Sequence, residues 1–417
     1  MYSLDTHRER RLLWLLALTQ FTIIMDFMVM MPLGPQIMRS FQISPTAFAT
    51  AVSAYSWCSG LSGLLGATYI DRFDRRRLLL GVYALFALSN LACAFAPTFP
   101  ILLVARAFAG ITGGMLGSVV MAIVSDVIPI ARRGAATGTI MTAFSLAAVA
   151  GVPAGILLGA HFGWYTPFIL LTVLSVLIWL GCMRVVPGLA VHLGRQQPPL
   201  RSVLPSLWRL LTNPRYMSAF AMTFVVMGSQ MLVIPFISPV LVANHGVPPA
   251  QLSWLYMGGG AATFFTSRFI GRLSDRYGSR HMFRVMVAVS LLPILFVTHL
   301  PALPYIALLL FFPVFMVTVS GRMVPMQALL TTVPEPANRG AFLSTNSALQ
   351  ALGSGCGAWL GGLLLSNGAN GTIQGYGVNG WLATVFVVAA AIWVSRVRSF
   401  SEKPMQGAVA AEPLGEA

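Results

Sequence analysis

The sequence predicts an all-α integral membrane protein, with twelve transmembrane helices arranged as two pseudo-symmetric six-helix bundles. Three observations predict it. Of 417 residues, 57% are hydrophobic and 9% charged, and the mean hydropathy is +0.78, which leaves too little charge to cover a water-soluble globule. The chain repeats itself: at an offset of 204 residues, Asp71-Arg72-Phe73-Asp74-Arg75-Arg76 falls on Asp275-Arg276-Tyr277-Gly278-Ser279-Arg280 without a gap. Basic residues, finally, cluster at the ends of every second apolar segment, as the loops of a multi-pass protein require.

The repeat extends beyond the charged motif. The same offset lays Pro45 on Pro249, Ala67 on Gly271 and Asp26 on Gln230, and an offset of 206 lays Arg133-Gly134 on Arg339-Gly340 and Gly151 and Gly155 on Gly357 and Gly361. In a hydrophobic chain, a duplicated half points to a transporter built around an axis along the membrane normal.

Apolar runs place the spans at 12–35, 46–70, 78–97, 100–125, 137–160, 165–185, 215–243, 250–273, 281–299, 304–330, 341–366 and 379–397. Each has roughly the 20 residues that cross a core of about 30 Å. Helices are expected because backbone polar groups in lipid must bond within their own segment, and the alternating stretches of about 10 residues that mark a barrel do not occur. The first run continues from Leu12 past Met31 without a small-residue cleavage site, so it reads as a retained helix and not a signal peptide. Domains follow as 1–185, an N-terminal bundle; 186–214, a cytoplasmic inter-bundle loop; 215–398, a C-terminal bundle; and 399–417, a disordered cytoplasmic tail. Leu204, Leu207, Trp208 and Leu211 suggest a short interfacial helix within the long loop.

The net charge of +15 does not imply nucleic acid, because the 26 basic residues form no single face or arm. They lie at Arg8 to Arg11, Arg72 to Arg77, Arg132-Arg133, Arg184 to Arg215, Arg276 to Arg284, Arg339 and Arg396 to Lys403, while the loops near 97, 162, 245, 300 and 370 carry none. Only Arg39 breaks the alternation, so both termini are expected in the cytoplasm of a bacterial inner membrane. Cys58, Cys93, Cys182 and Cys356 lie in apolar runs as small hydrophobes. No His or Cys cluster has metal-ligand spacing, no Gly-Lys phosphate loop occurs, and His161, His245 and His299 fall in outer loops, so neither a metal, an enzyme nor an ATP-driven pump is indicated.

The paired motif resembles the signature of the major facilitator superfamily, and the resemblance spans roughly residues 10–400. The family pattern is a glycine, three residues, then Asp-Arg-x-Gly-Arg-Arg/Lys. The first copy departs from it at both glycines, with Ala67 and Asp74, whereas Gly271 and Gly278 keep them in the second. The resemblance implies a conformational latch of Asp71, Arg72, Arg75, Arg76 and Asp126, with Gly271, Asp275, Arg276, Gly278 and Arg280 in the second copy. Its contacts are expected where the halves meet on the cytoplasmic side, favouring an outward-facing state. Arg106, followed by Gly110 and Gly113, is similar to the fourth-span motif of proton-coupled members. Gly151, Pro153 and Gly155, with Gly163-Trp164 after the span, resemble a shortened antiporter motif of the drug:proton branch and its sugar-efflux-like relatives.

Ionisable groups inside spans are functional candidates because burying them is costly. They are Asp26, Arg106 and Arg322. At about 1.5 Å per residue, Asp26 lies about 22 Å from the end near Arg11 and Arg106 about 10 Å from the opposite end near Phe99, depths that nearly coincide. The resemblance has spans 1, 4, 7 and 10 lining a central cavity, so Asp26 and Arg106 can meet there as a proton-coupling site. A fixed ion pair joining the two spans is the competing reading. Thr22, Tyr55, Trp57, Gln230, Arg322 and Gln327 are the substrate-cavity candidates, and Met25, Met28, Met30 and Met31 suit either a site that repacks around varied ligands or ordinary core. The expectation is a proton-coupled exporter of a small amphipathic or sugar-like solute. It draws on the proton gradient with no cofactor and acts as a monomer in the bilayer. Uptake or facilitated diffusion is the alternative within transport, and a non-transporting receptor or scaffold the alternative outside it.

Overall fold

A computed structural model describes residues 6–129, 132–190, 193, 200–335, 338–368 and 370–400, without the side chains of Thr6, Ala67 to Tyr69, Asp71 and Leu200 to Leu204. Expectations for Ala67, for the Asp71 and Leu204 side chains, for linker residues 191–192 and 194–199, and for the tail beyond 400 fall outside the described residues.

Helices α1 (Thr6–Val29), α2 (Gly34–Phe41), α3 (Pro45–Tyr69), α4 (Arg75–Ala94), α5 (Phe99–Val127), α6 (Arg133–Leu146), α7 (Val152–Phe162) and α8 (Thr166–Val185) form the first part. After α9 (Leu200–Leu211) come α10 (Pro214–Met231), α11 (Ile234–His245), α12 (Pro249–Tyr277), α13 (Ser279–Thr298), α14 (Tyr305–Gly321), α15 (Met323–Thr332), α16 (Arg339–Leu363) and α17 (Tyr376–Trp393). Starts are set locally. Ser44 caps α3 by accepting from the Ala47 amide at 3.2 Å, Asn213 caps α10 from Arg215, and proline occupies the first turn of α2, α3, α5, α10 and α12, where its missing N–H costs nothing.

Three predicted spans are interrupted. The first breaks at Met30–Leu33, the seventh at Leu232–Val233 and the tenth at Arg322, while a π turn over Ala147–Gly151 joins α6 to α7. Pro35 stands in the first turn of α2 and Pro235 in that of α11, so in each case the helix restarts on a proline. The eleventh span ends at Leu363, and the chain then makes a two-residue antiparallel ladder, Ser366–Asn367 against Ile373–Gln374, that periodicity did not predict.

Among the described residues, nine helical stretches are long and apolar enough to cross a membrane. The long helices α3, α12 and α16 fall below that composition, and they are the helices by which the two parts of the chain meet: α3 lies along α16, and α12 against α7 and the π turn. Helices that face one another instead of lipid can carry more glycine, serine and threonine. α2 also packs on α11 across the two parts, while α1 packs with α5, α6 and α8 and α10 with α16 and α17 within them.

Glycines at matched repeat positions do matched work. A Cβ at Gly151 would press on Phe21 and Met25 of α1 and one at Gly155 on Val29, while Gly357 lies against the Gly228 backbone of α10 and Gly361 against Phe236 of α11 and Leu232 in the break before it. The antiporter-like glycines therefore seat one span on another.

Candidate functional site

Asp26 and Arg106 meet, as their counted depths predicted. Arg106 Nη1 donates to Asp26 Oδ1 at 2.5 Å, and Nη2 reaches the Asp26 backbone carbonyl at 3.4 Å, with the two side chains 0% and 1% exposed. Burial this complete leaves the pair out of reach of bulk solvent, and Asp26 Oδ2 and Arg106 Nε have no hydrogen-bond partner. The guanidinium carbon stands 4.4 Å over the Tyr55 ring and 5.8 Å over the Phe168 ring, a cation–π arrangement that strengthens when desolvated.

Tyr55 is held in place from three sides. Phe27 stacks on it at 5.7 Å, its hydroxyl donates to the Ile23 carbonyl at 3.5 Å, and the glycines of α5 admit it. A Cβ at Gly110 would collide with the Tyr55 backbone carbonyl, and one at Gly113 would sit 2.8 Å from its hydroxyl oxygen. The glycines after Arg106 thus let α5 approach α3 closely enough to slide the ring under the arginine. Phe168, the second ring, went unnoticed in the sequence because nothing marks which phenylalanine of an apolar run faces inward.

Other cavity candidates divide. The Thr22 hydroxyl shares a hydrogen bond of 3.0 Å with the Tyr83 hydroxyl on α4, so it fastens α1 to α4. Trp57 lies in the seam between the two parts, its indole donating to the Cys356 thiol at 3.4 Å and its ring 6.1 Å from that of Trp359. Gln230 is buried and donates to the Val319 carbonyl at 3.1 Å, joining the seventh span to the tenth, whereas Gln327 is exposed. Arg322 is 1% exposed, and its Nε and Nη1 have no partner among the described residues.

The charged motifs sit at one end of the molecule. Arg75 Nε donates to Asp126 Oδ2 at 3.0 Å, and the same guanidinium also holds the Ile70 carbonyl. Both ends of this ion pair belong to the first part of the chain, so the pair does not require the halves to meet, contrary to expectation. Arg76 donates to the Met183 carbonyl at 2.6 Å and its repeat mate Arg280 to the Val397 carbonyl at 2.6 Å, each tying its motif to the last span of its own part. Asp74 and Gly278, mates in the repeat, adopt different turns. Gly278 has φ +87° and joins α12 to α13 directly; at Asp74 φ is −55°, which any residue adopts, after a turn over Ile70–Arg72. The Asp74 carboxylate caps α4 through the Arg77 amide at 3.0 Å and accepts from the Leu189 amide at 3.1 Å. Arg72, Asp275 and Arg276 are exposed, and Gly271 has room around it.

Fold and site together define a multi-pass α-helical membrane protein of duplicated plan with a charge pair sealed inside. The chain belongs to the Major Facilitator Superfamily, whose pattern matches residues 16–231 and again 219–414. It is similar to the uncharacterized MFS-type transporter YfhI of Bacillus subtilis (strain 168), 26% identical over 410 residues that cover 96% of this chain and 97% of that one. A probable sugar efflux transporter of Mannheimia succiniciproducens is 30% identical over 206 residues, 49% of this chain and 50% of the relative. Among solved structures, a bacterial homolog of the human lysosomal transporter Spinster, inward-facing and occupied, superposes with a TM-score of 0.76 at 16% identity, covering 95% of this chain and 98% of the other. A D-xylose-proton symporter gives 0.73 at 17% identity, covering 92% and 96%. These likenesses establish the fold. The protein is accordingly a secondary transporter of small solutes that works by alternating access, and it belongs to a class of transport proteins and not of enzymes.

Proposed function

We propose that this transporter exports a small amphipathic or sugar-like solute in exchange for protons, with Asp26 as the proton carrier and Arg106 as its partner. The buried Asp26–Arg106 pair carries the reading. A carboxylate in apolar surroundings holds its proton, an arginine at 2.5 Å makes it release the proton, and a conformational change that alters that distance moves the proton. The half-length likeness to a probable sugar efflux transporter and the short antiporter-like motif Gly151, Pro153 and Gly155 favour export.

On this reading the chain crosses a bacterial inner membrane twelve times with both termini in the cytoplasm. Its six-helix bundles, 1–185 and 215–398, rock about a midplane cavity bordered by Tyr55, Gln230, Arg322 and Gln327, with 186–214 as the connecting loop; Ser399 and Phe400, expected in a disordered tail, are instead held by Arg215 and Thr332. Asp71, Arg72, Arg75, Arg76 and Asp126, with Gly271, Asp275, Arg276, Gly278 and Arg280, form the cytoplasmic latch. The protein acts as a monomer, needs the proton gradient and no cofactor, and has no nucleic-acid partner. The test is flux of a solute panel in proteoliposomes with and without an imposed pH gradient. Flux that ignores the gradient for every transported solute refutes proton coupling and leaves facilitated diffusion.

A further inference from the structure

Arg322 has no counter-charge among the described residues. Of the eleven acidic residues in the chain, Asp26 alone lies deep within a span, and Arg106 already neutralises it. Two arginines and one aspartate leave the interior one positive charge in excess, and Arg322 bears it. Its position is central. It lies ten residues before the end of α15 at Thr332, or about 15 Å at the helical rise, in a core of about 30 Å. The side chain is 1% exposed, with Nε and Nη1 unpartnered among the described residues.

The surroundings lack what a structural arginine uses. Structural arginines within spans reach carbonyls, carboxylates or the interface, and in this protein Arg75, Arg76 and Arg280 do reach carbonyls. Arg322 also occupies the interruption between α14 and α15, C-cap of the one and N-cap of the other, where the two dipole ends offset each other and leave the guanidinium as the local charge. Three residues earlier, the Val319 carbonyl is taken by Gln230, which ties this part of α14 to α10. Thr223 Oγ1 on α10 and Asn346 Oδ1 on α16 are likewise buried without partners, about 13 Å and 10 Å along their helices from the same end as Thr332.

We propose that Arg322 is a substrate-binding residue and that the solute carries an oxyanion, a carboxylate, phosphate or sulfonate, whose oxygens take the free guanidinium donors. This rests on the transport reading and names its substrate class. The planar guanidinium fork matches two oxygens of such a group, and in a low-dielectric interior that match supplies both charge and orientation. Cationic solutes are excluded by the same charge. An unpaired buried arginine destabilises the empty protein, a cost that persists where function requires it.

The experiment measures thermal melting of the purified full chain with benzoate, phenylphosphonate, benzamide and benzylammonium at matched ionic strength. Wild-type protein should be stabilised by either oxyanion and by neither of the other probes. Arg322→Gln should weaken the oxyanion effect roughly tenfold to a hundredfold in apparent affinity, as for loss of a charge-assisted bond. Arg322→Lys should retain part of it, and ligand-free Arg322→Gln should melt at or above the wild-type temperature. The proposal is overturned by stabilisation indifferent to charge, by oxyanion selectivity that survives in Arg322→Gln, or by a fall in the ligand-free melting temperature of that variant. Nanodiscs of phosphatidylglycerol and of phosphatidylcholine separate the sources of the anion. Arg322-dependent stabilisation by phosphatidylglycerol, with no further effect of benzoate, assigns the site to a lipid headgroup and overturns the solute reading. Wild-type pH-driven flux, recorded in parallel, tests proton coupling separately, so either idea can fail alone.

Discussion

Asp26→Asn separates a proton carrier from a fixed strut. The side-chain oxygen of asparagine stays where Asp26 Oδ1 accepts from Arg106 at 2.5 Å, so the change removes charge and titration while keeping an acceptor. Two unit charges about 4 Å apart at an effective dielectric near 20 attract by about 4 kcal/mol, and stripping a buried charge of its partner costs about 3–5 kcal/mol. Arg106 retains the Tyr55 ring at 4.4 Å and the residue 26 carbonyl at 3.4 Å. Both contacts are present in wild type too, so they hold Arg106 in place without offsetting the loss, which stays at about 3–5 kcal/mol. That lowers the melting temperature by a few degrees without unfolding the protein. The functional effect is far larger. One coupled proton and a gradient of about one pH unit support about tenfold accumulation. The variant should show none, while counterflow between equal pH values remains measurable. A well-folded Asp26→Asn protein that accumulates solute to the wild-type ratio would refute the carrier role, and collapse of counterflow together with melting temperature would establish the strut.

In a cysteine-free background, Asn370→Cys should react with an impermeant maleimide from the periplasm and Arg209→Cys should not; the opposite labelling would sink the topology. Gly357→Ala should destabilise by about 1–3 kcal/mol because its Cβ meets the Gly228 backbone, which cannot yield, whereas Gly117→Ala, with open space, should be neutral or stabilising in the same melting assay. Asp74→Ala should cost about 1–2 kcal/mol through loss of the α4 cap and the Leu189 contact, read by melting temperature against wild type. Asp71→Asn should lengthen spin-label distances between the C-terminal end of α3 and the N-terminal end of α16; unchanged distances would leave that residue a topological marker.

Depth was legible in the sequence and rotation was not. Counting residues from the charged ends brought Asp26 level with Arg106, because helical rise is constant. Which way Thr22 and Trp57 face depends on helix phase. In lipid both faces of a helix are apolar, so hydropathy cannot separate a side that meets Tyr83 or Cys356 from one that borders a cavity. The break at Leu232–Val233 was equally hidden, since no proline or glycine marks it until Pro235. Asp74 departed from the family pattern in sequence, but only the turn preceding it shows why a carboxylate suits a place where the second copy needs glycine.

The seam between α3 and α16 has a consequence for how forces reach the protein. Trp57 apart, whose indole lodges at Gly355 and donates to Cys356, the contacts of the seam are largely small: Gly60 against Leu352 and Ala348, Gly362 against Ala49, with the Thr46 hydroxyl on the Gly362 carbonyl near the start of α3. Small contacts of this kind are nearly isoenergetic over short displacements, because few directional bonds must break. Such a joint offers little friction beyond that one indole. The balance between opposing orientations is then set by what presses on its rim, including bilayer thickness and lateral pressure, so reconstitution in short-chain and long-chain lipids should alter turnover even where every residue of the seam is unchanged.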